Sequence, residues 1–316
     1  MILTRQKNIM NPPEHEKSTA ALKSVFAAIF LTGFKIMVGV FSGSLGILAE
    51  AAHSGLDLVA ALVTFFAVRA SGKPADRQHP YGHGKIENLS ALFEALLLLL
   101  TCAWIIKESI HRLIYHSGDV NASLWTFAVM LVSIGVDFSR SRMLLRVARK
   151  HKSQALEADA LHFSTDIWSS SVVIVGLIGV KLAACFPPLH WLIKMDSVAA
   201  LAVGGIVVWV SARMGWRTIL ELLDTAPLDL DEKIKQIAES VANVKNCHAV
   251  RIRCAGPETF IDAHLVLEGN MPLSEAHRIT DLVEEAIRKE IPGADITVHA
   301  EPLAEPPPAA ADIRAR

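Results

Sequence analysis

What the chain lacks narrows it first. Its 316 residues include only four cysteines, Cys102, Cys185, Cys247 and Cys254, too few and too scattered for a disulfide framework. Charged residues make up 20% against 52% hydrophobic, a poor ratio for an ordinary water-soluble protein. No cleavable signal peptide is visible: Met1 to Lys17 is polar and mixed in charge, with no apolar stretch before a small-residue cleavage site. The first long apolar run is therefore expected to be retained as a membrane anchor. No glycine-rich loop ends in Lys-Ser or Lys-Thr, so nothing offers to cradle a nucleotide. His15-Glu16 is not followed by a histidine at position 19, which removes the helical metal-plus-base arrangement of a metalloprotease. The formal net charge of −1 averages opposite biases in different loops and identifies no partner; no nucleic-acid partner is expected.

What is present is apolar sequence in long runs and 13 histidines. A spanning helix needs about 20 mostly apolar residues, and six segments qualify: Ala21–Phe41, Leu45–Val68, Leu89–Ile110, Leu124–Leu145, Ala155–Ala184 and Trp191–Met214. A single large water-soluble core does not fit six such runs in so short a stretch. Orientation follows from the basic residues of short loops. They gather in the N-terminal tail (Arg5, Lys7, Lys17), between the second and third segments (Arg69, Lys73, Arg77, Lys85), and between the fourth and fifth (Arg140 to Lys152). The other connections offer little beyond Arg112 and Lys194. Both termini are therefore expected in the cytoplasm.

From Pro227 to His299 the sequence is charged and alternating. It reads as helix (Asp231–Val241), strand (His248–Cys254), strand (Thr259–Leu267), helix (Ser274–Glu290) and strand (Asp295–His299), with Gly256-Pro257 punctuating the hairpin and Pro272 opening the second helix. The expected fold is thus an α-helical membrane protein of six transmembrane helices with a C-terminal cytoplasmic ferredoxin-like α+β (αββαβ) domain. The expected divisions are 1–20 (cytoplasmic N-terminal tail), 21–215 (transmembrane transport domain), 216–302 (metal-binding regulatory domain) and 303–316 (disordered, with Pro306, Pro307 and Pro308).

Two spanning segments carry the same pair: His53 with Asp57, and His162 with Asp166. A separation of four residues puts each pair on one helix face. A carboxylate at membrane depth costs about 2.5–3.5 kcal/mol on the lenient insertion scale, so it should face a partner or water. One such pair is satisfied equally well by an intrahelical hydrogen bond. Two identical pairs on different helices, flanked by the small residues Ser54, Gly55, Ser164 and Thr165, favour convergence. Together they offer two imidazole nitrogens and two carboxylate oxygens, a tetrahedral set suited to zinc, whose charge two carboxylates balance. The loop Asp76–Lys85 offers Asp76, His79 and His83 as donors for a second, more exposed site, although polar loops commonly hold solvated histidines. His248, His264, His277, His299 and Glu301 supply donors in the soluble part. Cys254 shares the alternation face of His248, but a buried structural thiol is the plainer reading. Lys35, near the middle of the first segment, either snorkels or pairs within the bundle. Asp137 reads as an ion-pair partner of Arg140.

At these residues the sequence resembles the cation diffusion facilitator family, close to its bacterial zinc/iron efflux members. The resemblance runs from Ala20 to Pro302 and includes Ser44-Leu45-Gly46-Ile47-Leu48-Ala49, His79-Pro80-Tyr81-Gly82-His83-Gly84-Lys85, Ser153-Gln154-Ala155-Leu156-Glu157-Ala158-Asp159 and Pro292-Gly293-Ala294-Asp295. It implies a homodimer in the bacterial inner membrane, working as a metal/proton antiporter with Zn²⁺ as both cargo and regulatory ligand. By position it implies a transport site of His53, Asp57, His162 and Asp166, and a loop site of Asp76, His79 and His83. The domain site it implies is His248, His264, His277, His299 and Glu301, with Lys85 and Asp224 in an inter-subunit charge cluster. Where several bacterial relatives carry aspartate, this chain has His53, a pattern that favours zinc over manganese or ferrous iron; Glu301 stands where relatives often have aspartate. Other classes weighed against export are a transport-poor metal sensor or assembly scaffold, which loss of either membrane pair would favour, and a passive channel, which would line a pore with rings of charge. Cadmium, cobalt, nickel and iron remain alternative cargoes.

Overall fold

The computed structural model describes residues 12–115, 124–185, 192–227 and 229–303. The basic tail residues Arg5 and Lys7, and positions 304–316 of the expected disordered tail, lie outside the described residues. The chain divides into two compact units, Met1–Ile219 and Leu220–Arg316.

The first unit is built from six long helices: α1 (Pro12–Ser42), α2 (Leu45–Ser71), α3 (Lys85–Tyr115), α4 (Leu124–His151), α5 (Gln154–Cys185) and α6 (Leu192–Leu222). Each answers to one expected spanning segment. Among the described residues, α1, α2 and α3 are by themselves long and apolar enough to cross a membrane. Several helices outrun the apolar segments that announced them. Residues 12–20, expected as tail, are the first turns of α1, which Pro12 opens with its preset φ. Apolarity measures the depth of hydrocarbon, whereas a helix continues for as long as its backbone bonds are satisfied. The outer faces carry large apolar side chains such as Phe26, Phe30, Leu100, Trp104 and Trp209, as a lipid-facing surface requires.

The helices approach closely where residues are small. Gly39 of α1 leaves room for Leu48 of α2, whose side chain a Cβ would meet at 2.8 Å. The tight α1–α2 connection turns on Gly43 at φ 64°, where the left-handed region favours glycine. Ser44 then caps α2 by accepting from the Ile47 N–H at 3.4 Å. Ala20, Ala21, Val68, Leu144, Ala148, Leu156 and Phe163 form a core shared by α1, α2, α4 and α5.

Where α1 begins, α2 ends, and α3 and α5 begin, the interior is polar. Lys17 Nζ donates to Glu87 Oε1 at 2.9 Å and meets Glu14 at 2.6 Å. Ser71 and Ser153 also donate to Glu87, and Asn88 donates to Gln154 at 2.9 Å. Lys17 is 1% exposed and Glu87 is fully buried, so each charge depends on the other.

The second unit follows the expected αββαβ order: α7 (Leu230–Glu239), β1 (Asn246–Ala255), β2 (Glu258–Leu267), α8 (Leu273–Glu290) and β3 (Asp295–Pro302). β2 is central, antiparallel to β1 and parallel to β3. Ile261, Ala263 and Leu265 of β2 alternate into a core with Ile234 and Ala238 of α7 and Val283 and Ile287 of α8, so both helices cover one face. Odd positions of β2 being buried, His264 belongs to the other face.

Lys17→Met strips the fully buried Glu87 of its cation. Breaking one side of a buried pair costs about 3–5 kcal/mol, so thermal unfolding in detergent should occur at a clearly lower temperature. Lys17→Met with Glu87→Gln should recover most of the loss. Parent-like stability of the single variant would show that the pair holds nothing together.

Candidate metal centre

α2 and α5 bring the two membrane pairs face to face. His162 Nε2 lies 3.2 Å from Asp57 Oδ1 and 3.6 Å from Asp166 Oδ2. His53 Nε2 lies 3.9 Å from both Asp57 Oδ1 and Asp166 Oδ1. A zinc ion bound tetrahedrally at about 2.0–2.2 Å sets its ligand atoms about 3.3–3.6 Å apart. His53, Asp57 and Asp166 each offer a donor atom within 4.8 Å of the others, while His162 approaches the set through Asp57 Oδ1 and the other oxygen of Asp166. A calcium ion, needing six to eight oxygens at about 2.3–2.6 Å, finds too few donors here.

The two pairs are unequally enclosed. His162 is 1% exposed and Asp57 8%, whereas the His53 side chain retains 31% exposure. One wall is therefore sealed and the other open. α1 fixes the open wall: Thr32 Oγ1 donates to the Ser54 carbonyl at 2.9 Å, and Lys35 Nζ donates to Ser54 Oγ at 2.8 Å. Lys35 also meets Glu50 at 3.3 Å. Of the two readings for Lys35, pairing within the bundle is the one observed. Asp137 and Arg140 pair as expected, at 3.3 Å.

On the sealed wall stands a residue that the spacing of histidines did not reveal. Glu94 of α3 is fully buried, and its Oε2 lies 3.4 Å from His162 Nδ1. Its other oxygen accepts from Thr64 Oγ1 at 3.2 Å. Asp159, also fully buried, accepts from Ser24, which in turn accepts from Arg140. The signal was present: Glu94 interrupts an otherwise apolar stretch of α3, and an intramembrane carboxylate marks a functional position by default.

In the loop after α2, Asp76, His79 and His83 offer three donor atoms within 4.8 Å of one another. Asp76 Oδ1 lies 3.3 Å from His79 Nδ1, and Oδ2 lies 3.5 Å from His83 Nε2. The backbone N–H of His79 donates to Asp76 Oδ1 at 2.7 Å and that of Gln78 at 2.8 Å. Those donors, His79 first, hold the Asp76 carboxyl below its ordinary value, so it stays an anionic ligand under mildly acidic conditions. Lys85, at the start of α3, follows this loop directly, and Asp224 takes the left-handed turn after α6 at φ 58°.

In the second unit the sheet register aligns three histidines across three strands, His248 opposite His264 and His264 beside His299. His248, His264 and Glu301 present donor atoms within 4.8 Å of one another. Glu301 reaches His264 at 2.9 Å, His248 at 3.2 Å and His299 at 4.0 Å. The longer glutamate arm thus spans the whole row. His277 is not brought to this group: it sits exposed on α8, its Nε2 3.9 Å from Asp281. The shared face expected for Cys254 and His248 is also corrected. A bulge between His248 and Arg251, with Ala249 at φ 49°, inverts the alternation. Cys254 is therefore in phase with the core residue Ile252. Cys247 is the buried thiol, and burial pushes it up to about 11, which keeps it protonated and unsuited to metal.

Comparison with known proteins agrees across the length of the chain. Residues 21–223 match the family model for the cation efflux transmembrane domain, and residues 226–303 that for the cation efflux protein cytoplasmic domain. The chain is similar to the cation-efflux pump FieF of Pectobacterium atrosepticum, with 33% identity over 308 residues covering 94% of this chain and 97% of that one. It is 34% identical over 293 residues to FieF of Yersinia enterocolitica, covering 91% and 93%. Among solved structures it is similar to CzrB in its zinc form at 34% identity, covering 26% of this chain and 93% of that one with a TM-score of 0.24.

Because Glu301 touches three histidines, Glu301→Ala should weaken zinc binding to the second unit by more than the roughly 10–100-fold typical of outer-shell partners. Zinc titration of the purified protein by calorimetry checks this. An unchanged affinity for that class of sites would remove Glu301 from the ligand set.

Proposed function

The chain belongs to the cation diffusion facilitator family, and on that premise we propose that it exports zinc from the cytoplasm in exchange for protons. Membership fixes the coarser facts: it is an integral membrane transporter of divalent metal cations, a homodimer, and not an enzyme. The finer reading is supported by one observation: His53, Asp57 and Asp166 offer donor atoms within 4.8 Å of one another, and His162 Nε2 lies 3.2 Å from Asp57 and 3.6 Å from Asp166. Two nitrogen donors among four favour zinc over the harder manganese, which prefers an octahedral oxygen shell.

Alternating access is the mechanism this site supports. Zinc enters from the cytoplasm and sheds water onto two carboxylates and two neutral imidazoles. The bundle then rocks so that the site opens outward. A protonated imidazole cannot coordinate, so protons from the far side compete for the same nitrogens. Departure of the ion leaves two carboxylates uncompensated in surroundings of low dielectric, and protonation of His53 and His162 restores balance. One or two protons therefore return per ion, and the proton gradient supplies the drive. Basic residues around the α2–α3 and α4–α5 connections support cytoplasmic termini in a bacterial inner membrane.

The donors of the loop and of the second unit, all at least partly open to water, suit a different task. With Asp76, His79 and His83, and with His248, His264, His299 and Glu301, the chain senses cytoplasmic zinc. His277 joins the latter set only from another copy or another conformation. Filling those sites draws the paired domains together and raises transport, with Lys85 and Asp224 in the charge cluster between subunits.

Proteoliposomes with an imposed pH gradient test the proposal directly. Zinc flux should follow the proton gradient and be abolished in Asp57→Ala; undiminished flux in that variant would eliminate the proposed site. His53→Asp should broaden transport toward manganese or ferrous iron, and an identical metal ranking would show that this ligand does not set the preference.

A further inference from the structure

His162 is the most deeply enclosed of the four proposed ligands, and its usefulness depends on which ring nitrogen carries the proton. Nε2 faces Asp57 and Asp166 at 3.2 and 3.6 Å. Nδ1 points the other way, toward Glu94 Oε2 at 3.4 Å. Both Nδ1 and this oxygen are buried, and neither has a hydrogen-bond partner elsewhere. Leaving two buried polar atoms unpaired is unfavourable. A closure of a few tenths of an ångström satisfies both at once, with Nδ1–H donating to the carboxylate. The remaining oxygen of Glu94 is anchored by Thr64 Oγ1 at 3.2 Å, which fixes the carboxylate plane from α2 while Glu94 itself stands on α3.

We propose that Glu94 is a positioning residue for the transported ion: it holds His162 in the Nδ1–H tautomer, so that Nε2 stays free to bind metal. The inference rests on the transport-site reading above and deepens it by adding the outer ligand on which His162 depends. Metal-binding histidines commonly donate their second nitrogen to a carboxylate, which sets ring orientation and strengthens the donor, and loss of such a partner costs about 10–100-fold in affinity or activity. Three helices thereby build the sealed wall: α5 provides the imidazole, α3 its acceptor and α2 the hydroxyl that steadies the acceptor.

Two measurements on the full-length dimer test this: zinc binding by calorimetry in detergent, and zinc flux in proteoliposomes resolved into KM and maximal rate. Glu94→Gln keeps the size of the side chain but replaces the anionic acceptor. It should weaken zinc binding and raise KM by about 10–100-fold while the unfolding temperature stays near that of the parent. In a His162→Asn background, Glu94→Gln should add nothing to the loss, because its route to the ion is already gone. Wild-type binding and KM in Glu94→Gln would overturn the proposal. So would an equal further loss in the His162→Asn background, since that marks a packing role. Asp57→Ala keeps the outcomes distinct: a dead Asp57→Ala with a normal Glu94→Gln sinks only the role of Glu94, whereas an active Asp57→Ala sinks the site as a whole.

Discussion

Two carboxylates brought together between apolar helices, one buried and one partly open, must be compensated. Asp57 and Asp166 converge on His162 and His53, and everything around them serves to make that arrangement tolerable. A divalent ion neutralises both acids at once. In its absence the imidazoles must carry the positive charge, because removing charged groups from water costs several kcal/mol per ion unless they are paired and hydrogen-bonded. On the proposed reading the same four groups define both what is bound and what must replace it. Coupling to protons, on this view, follows from the cost of an empty site and needs no separate device.

Holding the groups in place falls largely to α1, which carries a polar stripe through an otherwise apolar helix. Lys17 reaches Glu87 on α3, Ser24 reaches Asp159 on α5, and Thr32 with Lys35 reach Ser54 on α2. The spacing from 17 to 24 to 32 is about two turns at a time, with 35 about one turn further, so the contacts stay on one face. Arg140 of α4 joins at Ser24 and stacks over Phe163, its guanidinium 3.5 Å from the ring centroid. α1 thus ties α2, α3, α4 and α5 at separate depths. The contact at Ser54, one residue from His53, makes α1 and α2 a unit at the depth of the site. Any rocking that opens the site must shift other contacts, such as the weaker approach of His53 to Asp166 at 3.9 Å.

The order of helices, the αββαβ unit and the two His–Asp pairs were all legible because each rests on a short-range rule. Twenty apolar residues mark a bilayer depth, alternation marks a strand, and a spacing of four marks a helix face. What escaped depended on partners far along the chain or on backbone irregularity. Glu94 looks like an isolated acid until α3 is laid against α5. The bulge at Ala249 leaves no clear mark in a run reading Cys-His-Ala-Val-Arg-Ile, yet it reverses every later side chain in β1 and moves Cys254 away from the histidine row. His277 shares residue type with the cluster but stands on α8, and residue type alone carries no position. The family resemblance grouped it with the others by motif, which says nothing about whether one chain brings it to the cluster.

Three clusters in this chain use nearly the same donors, and their surroundings separate their uses. Asp76 and His79 lie in water, and His248, His264 and Glu301 are partly open to it. When such a site empties, solvent takes over the charge at small cost, so binding tracks the concentration of free metal and little else. In the α2–α5 cluster His162 and Asp57 are enclosed, while the His53 and Asp166 side chains keep 31% and 20% exposure. On the proposed reading, the charge left on the enclosed side when that site empties is met by protons. On that same reading, similar donors serve a sensor where all of them are at least partly wet and a pump where one side of the site is sealed. What sets the α2–α5 cluster apart is its sealed half, His162 with Asp57, more than the identity of its donors.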